Sequence, residues 1–255
     1  MEICALASGS CGNCFYVGDK NGAVLIDAGI SAKQICERMN ISGKSPESVR
    51  AIFITHEHSD HITGADVFAR RFQIPIFITK KTAENSFVCS ERILVKIIKN
   101  NQTVKIAKMK IEAFPKSHHA VDPVSYSIYG KKKVCVITDI GHGCKNVRKH
   151  ISDSDFLILE SNHDEKMLEK GPYPLYLKEL IKSDIGHLSN RQAGLCVLEH
   201  SSKKLKNIVL AHLSNTNNNP ETAFRTFTKL IQERKDISPR VGISVRERPT
   251  ELFRI

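Results

Sequence analysis

The chain of 255 residues is long enough for one large domain whose core needs no covalent staples, and its composition is that of an ordinary globular protein lacking tryptophan. Its formal net charge of +11 favours a phosphate-bearing partner and speaks to solubility rather than to fold. No apolar stretch approaches the length of a membrane span. Met1–Ala7 has no basic region and too short an apolar run for a signal peptide, so the expectation is a cytosolic protein with no membrane role.

In chain order, Ile3–Ala7 reads as a first strand, followed by the loop Ser8-Gly9-Ser10-Cys11-Gly12-Asn13-Cys14. Its Cys-x-x-Cys spacing has no second pair to complete a zinc knuckle, so it reads first as a glycine-containing loop. Strands are then expected at Phe15–Gly18, Ala23–Asp27, Ala51–Thr55, Ile76–Ile78, Lys110–Phe114, Val124–Tyr129, Val134–Thr138, Phe156–Leu159, Asn207–Leu210 and near Val241–Val245. Helices are expected at Ser31–Met39, Gly64–Arg71, Thr82–Cys89, Cys144–Ile151, Leu175–Ile181 after Pro174, Asn190–His200 and Pro220–Arg234. Ser31 and Asn190 are the expected N-caps, and Pro220 a first-turn proline. No linker interrupts this alternation, and a single domain over 1–255 is expected. The eight cysteines are scattered, as expected of thiols kept reduced in the cytosol.

Directly after Ala51-Ile52-Phe53-Ile54 stands Thr55-His56-Glu57-His58-Ser59-Asp60-His61. Side chains two apart on an extended chain share a side, so His56 and His58 can face one ion. Asp60 and His61 enter a turn and can face a second. Imidazole and carboxylate donors suit zinc, manganese or iron in a hydrolytic site better than a thiolate-rich structural one. Other apolar runs also end in ligand-capable residues, at Asp27, Asp139, Glu160 and His212. Layered α/β folds gather their sites at the carboxyl ends of strands, so five such ends point to one shared pocket.

With His56-x-His58-x-Asp60-His61, a lone His118, Asp139 and a last His212 in this order, the chain resembles the metallo-β-lactamase fold of metallohydrolases. Ala7–Cys14, Ser117-His118-His119-Ala120, Glu160-Ser161-Asn162-His163-Asp164, Gly186-His187-Leu188-Ser189-Asn190 and Leu210–Ser214 are similar to its YycJ/WalJ-like branch, which is associated with exonuclease activity on DNA. The chain departs from that branch at His119, where an aspartate is usual, and at Cys11, where serine is commoner. The resemblance implies an α/β fold in the form of a four-layer αββα sandwich. It implies two divalent ions, one on His56, His58 and His118, the other on Asp60, His61 and His212, with Asp139 bridging. Such a pair can share a hydroxide and neutralise charge in phosphoryl transfer.

The catalytic candidates are therefore Asp60, Asp139 and His187. His187 is a candidate general acid or phosphate contact, with a structural role as its alternative. Ser8, Ser10, Asn13, Ser189 and Asn190 are candidate substrate contacts, offered by a glycine-containing loop and a helix N-terminus. Asp27 either orients a ligand imidazole or caps a loop. His163 could act chemically or structurally, and His142 could line the pocket. His119, His150 and His200 read as surface or core residues, and Asn215–Asn219 as a polar loop. The expected function is a dinuclear phosphodiesterase acting as a DNA exonuclease. An RNA-processing nuclease and a thioester or lactone hydrolase of the same fold are the alternatives. DNA is the expected partner ahead of RNA, and no long arm for gripping tRNA is visible.

Overall fold

The computed structural model describes residues 1–255 and divides into two compact units. The first comprises Met1–Pro115, Ala120–Lys131 and Val245–Ile255. Its elements are β1 (Glu2–Ala7), β2 (Cys14–Asp19), β3 (Gly22–Ile26), α1 (Ala32–Ile41), β4 (Val49–Phe53), α2 (Ser59–Ile62), α3 (Ala65–Phe72), β5 (Ile76–Thr79), α4 (Lys80–Glu84), β6 (Val95–Ile98), β7 (Thr103–Ile106), β8 (Met109–Pro115) and β9 (Val124–Tyr129). Strands β1 to β6 lie in sequential order in one sheet, antiparallel as far as β3 and parallel from there on. Phe253 and Arg254 add a short edge beside β1. Strands β7, β8 and β9 form an antiparallel meander.

Alternation sets the core of this unit. Leu6, Tyr16, Leu25, Ile52 and Ile76 belong to one buried cluster, with Ile35 and Met39 of α1 and Phe68 of α3. Each such large side chain contributes about 1.5–3 kcal/mol by leaving water. The capping box on α1 is present as expected, with Ser31 and Gln34 exchanging side-chain and backbone bonds.

The second unit comprises Lys116–His119 and Lys132–Ser244. Its elements are β10 (Lys133–Ile137), α5 (Lys145–Ser152), β11 (Phe156–Glu160), α6 (Glu165–Lys170), α7 (Leu175–Lys182), α8 (Asn190–His200), β12 (Asn207–Ala211), α9 (Pro220–Ile231) and β13 (Arg240–Ile243). These four strands are parallel and consecutive, with Ile137, Leu159, Leu210 and Ile243 in register. The loops that follow β10, β11 and β12 therefore leave from one edge. Strands β10 and β11 are buried along their length, as parallel strands covered by helices usually are.

Several local expectations change. The cap of α8 is Ser189, one residue earlier than expected, because its hydroxyl accepts from Gln192 N while the Gln192 side chain returns to Ser189 N. The helix expected at Thr82–Cys89 ends at Glu84. There the Asn85 amide and the Ser86 hydroxyl take the carbonyls of Lys81 and Thr82. Strands β6 and β7 were not expected, since lysines break their apolar runs. No helix is long and apolar enough to cross a membrane. All eight cysteines are free thiols; Cys11 is exposed and Cys14 buried.

Candidate metal centre

In the first unit, β3 and β4 run parallel and deliver Asp27 and Thr55 together. Asp27 is fully buried and has φ of 60°, a left-handed conformation that aspartate tolerates better than most residues. Its carboxylate accepts from the Thr55 backbone N–H at 2.8 Å and from the Thr55 hydroxyl at 2.9 Å. It also lies 2.7 Å from His61 Nδ1, a buried pair. The Thr55 hydroxyl directs its only hydrogen to Asp27, so at 2.8 Å it accepts from His56 Nδ1. Both imidazoles therefore carry their proton on Nδ1 and present the Nε2 lone pair.

His58 approaches from the other ring position, its Nδ1 standing 3.0 Å from His56 Nε2. Two nitrogens bound at about 2.0–2.1 Å to one tetrahedral zinc lie roughly this close, so the pair fits a shared ion. Asp60 Oδ2 is 3.4 Å from His61 Nε2. Asn13 anchors this second pair: its amide donates to Asp60 Oδ2 at 3.1 Å and lies 3.2 Å from His61 Nε2. Its backbone N–H donates to Asp60 O, and its carbonyl accepts from Gly29 N. Gly29 has to be glycine, since a Cβ there would stand 1.7 Å from Asp60 O.

In the second unit the hub is Glu160 at the end of β11. One oxygen, Oε1, lies 2.8 Å from His187 Nδ1 and 2.8 Å from His212 Nδ1. The other accepts from the backbone N–H groups of Ile140 at 2.9 Å and Leu188 at 3.1 Å. Burial alone would raise this carboxyl, but the hydrogen bonds from His187 and His212 outweigh it and hold Glu160 below the usual carboxylate range. His212 and His187 are thereby set to offer Nε2. His118 Nδ1 lies 3.2 Å from the Gly186 carbonyl, which fixes the same tautomer, and burial pushes His118 down to about 3, keeping it neutral. Gly186 packs so closely under α7 that a Cβ would meet Leu180 O at 2.1 Å. Of the adjacent pair, His118 is buried and His119 exposed.

Asp139 and His212 have φ of 54° and 55°, at the ends of β10 and β12. Asp139 Oδ1 lies 3.9 Å from His118 Nε2 and 3.3 Å from His212 Nδ1. Ligand-capable atoms of Asp139, Glu160, His187 and His212 all fall within 4.8 Å of one another. Neutral imidazoles with a fixed free nitrogen, beside carboxylates that hold them, make a donor set suited to divalent ions.

Two of these residues carried no assigned role in the sequence reading. Thr55 acts as a hydroxyl relay and Glu160 as a hub, and the only signal for either was its place after an apolar run. Among the candidate substrate contacts, Ser8, Asn13, Ser189 and Asn190 are buried in framework hydrogen bonds, Asn190 to Ser161 and Asn218, whereas Ser10 is exposed. His142 Nδ1 lies 3.0 Å from Asp184 O.

A beta-lactamase superfamily domain model matches residues 23–212. The chain belongs to the metallo-β-lactamase superfamily. It is 34% identical over 238 residues to the exodeoxyribonuclease YycJ of Bacillus anthracis, covering 92% of this chain and 90% of that one. It is 35% identical over 234 residues to the exodeoxyribonuclease WalJ of Streptococcus pneumoniae, covering 89% and 87%. Among solved structures it resembles the metallo-β-lactamase fold protein YhfI of Bacillus subtilis, with a TM-score of 0.71 at 14% identity, over 98% of this chain and 99% of that one. That likeness shows the α/β fold expected from the sequence. The chain is a metal-dependent hydrolase of this superfamily.

Proposed function

We propose that this metallo-β-lactamase superfamily member is a DNA exonuclease that uses two divalent ions. The observation that carries the reading is its likeness, at 34–35% identity over about nine-tenths of its length, to two proteins named exodeoxyribonucleases. The net charge of +11 supports a polyanionic substrate.

In this reading His56, His58 and His118 would hold one ion and Asp60, His61 and His212 the other, with Asp139 as a further ligand. When bound, zinc, manganese or iron would lower the pKa of coordinated water and neutralise charge at phosphorus. The chain's own part is preorganisation. Asp27, Thr55 and Glu160 fix imidazole tautomers before substrate arrives, which removes a reorganisation cost from the reaction. His187 is held at Nδ1 by Glu160 with Nε2 turned away from it, and with a proton also on Nε2 it would serve as the proton donor for the departing alkoxide. Ser10 and the backbone N–H groups of its loop would contact phosphate oxygens.

The test follows end-labelled duplex and single-stranded DNA, with and without a 5′ phosphate, incubated with manganese-loaded protein. An Asp139→Ala protein, checked for folding and metal content, runs beside it. Progressive release of nucleotides, reduced roughly 10²–10³-fold or more in the variant, is expected. No release from any DNA by protein with both metal positions filled would overturn the reading in favour of RNA or thioester substrates.

A further inference from the structure

Two cavities, of about 410 and 390 Å³, open in the second unit beside the first turn of α8. That turn divides between them: Asn190 and Arg191 line the larger, Ser189 and Gln192 the smaller, and Glu165 lines both. The larger also carries Lys166 and Arg225, and none of its three cations is ion-paired. Its two acids are engaged, Asp164 in capping α6 and Glu165 in accepting the Ser189 hydroxyl. The N-terminus of α8 adds its partial positive charge.

The smaller cavity is of mixed sign. Glu169 and the Glu165 carboxylate, which also takes the Ser189 hydroxyl, offer acceptors, while Lys182, 3.7 Å from Glu179, and the amide N–H groups of Gln192 offer donors. His163 closes it. That side chain is 3% exposed and its Nδ1 is buried with no hydrogen-bond partner. A buried polar atom left in this way points to a ligand that satisfies it. Burial also holds the ring neutral, lowering it to about 4. Two carboxylates against one cation oppose a phosphate here, where the larger cavity sets three cations against two acids, and Lys182 opposes a lone cation. A flat, neutral ring bearing donors and acceptors on one edge suits every group in the cavity.

We propose that the pair of cavities holds one nucleotide of the bound strand, its phosphate on Lys166, Arg191 and Arg225 and its base in the His163 cavity. Cytosine and guanine are the favoured bases. Each carries an amine and a carbonyl on one edge, to meet the glutamates and the Lys182 and Gln192 donors. Thymine lacks the amine and adenine the carbonyl. The proposal rests on the nuclease reading for the source of its ligand.

The test titrates the metal-loaded full chain by calorimetry with dCMP, dGMP, dTMP, dAMP and inorganic phosphate. The expected result is binding of dCMP and dGMP roughly tenfold tighter than dTMP and dAMP. Glu169→Gln, at an exposed residue, removes most of that preference. Arg191→Ala and Arg225→Ala, also at exposed residues, weaken all four nucleotides alike. Equal binding of the four, absence of binding, or a preference indifferent to Glu169→Gln would overturn the proposal. Strand cleavage without a nucleotide preference would sink this inference and leave the nuclease standing. A Glu169-dependent preference without cleavage would do the reverse.

Discussion

In the first unit, His56, His58, Asp60 and His61 sit within six residues on the exit from β4, and Asp27 sets two of their rings, one directly and one through the Thr55 hydroxyl. In the second unit His118, Asp139, His187 and His212 come from four separate loops and Glu160 from the end of β11, and a single oxygen of Glu160 holds two rings. Both hubs are fully buried carboxylates at the ends of parallel strands. They differ in what they hold. Asp27 serves candidate ion ligands only, whereas Glu160 serves a candidate ligand, His212, and the candidate proton donor, His187. A short motif can thus be oriented by one hydroxyl relay, while a dispersed set needs a carboxylate shared among loops.

The largest effect that could break this comparison comes from changing each hub to its amide. Glu160→Gln leaves one acceptor where two rings and two backbone N–H groups now meet a carboxylate. Loss of an orienting partner costs about 10–100-fold at a metal-ligating imidazole such as His212, and a misplaced proton donor at His187 adds to it, so a fall on the order of 10³ in kcat/KM is expected. Asp27→Asn removes the direct carboxylate partner of His61 but leaves the Thr55 hydroxyl beside His56, so it should cost about 10–100-fold, mainly in metal affinity. Rates on end-labelled DNA and metal retained against a competing chelator check both. If the two variants lost metal and rate equally, the distinction between the hubs would be wrong.

The contiguous cluster was legible in the sequence because four ligand-capable residues packed into one motif have few other uses. Asp27, Asp139 and His212 were legible for a different reason: each follows an apolar run, and such runs end at one edge of a sheet. Their left-handed backbone was not legible, since nothing local announces it at a non-glycine residue. The hub role of Glu160 could not be read either, because it depends on bringing His187 and His212 to the same oxygen across 27 and 52 residues. Asn13 read as a substrate contact, but its neighbours in space turn its amide toward Asp60 and His61. At the edges, lysines in β6 and β7 hid strands that only pairing reveals.

His163 sharpens the contrast from the other side, as the buried imidazole of the second unit whose Nδ1 no hub holds. Its burial lowers it from an ordinary 6.5 to about 4. A histidine depressed in the folded state binds its proton more readily when unfolded. Its contribution to stability is therefore complete above about pH 6.5 and is lost as pH falls through about 4. The difference corresponds to about 3.4 kcal/mol at most. Urea titrations at pH 7 and pH 4.5 should show a steeper loss in the wild type than in His163→Gln, whatever the variant's absolute stability. An equal loss would mean that a partner does stabilise the charged ring.

The smallest effect compares the two capping boxes, one in each unit. Ser31 caps α1 from an exposed position, with Gln34 as its reciprocal partner. Ser189 caps α8 while 1% exposed, and its hydroxyl also donates to Glu165 Oε1 at 3.0 Å. Water can replace the lost bond at Ser31 but not at Ser189. Ser31→Ala should therefore cost about 0.5–1 kcal/mol and Ser189→Ala about 2 kcal/mol, read as shifts in denaturation midpoint at constant slope. The second variant should also loosen the turn that follows His187, and so lower the rate on DNA at unchanged metal content. Equal stability costs with no change in rate would show that the α8 cap is only a cap, and that His187 owes its position to Glu160 alone.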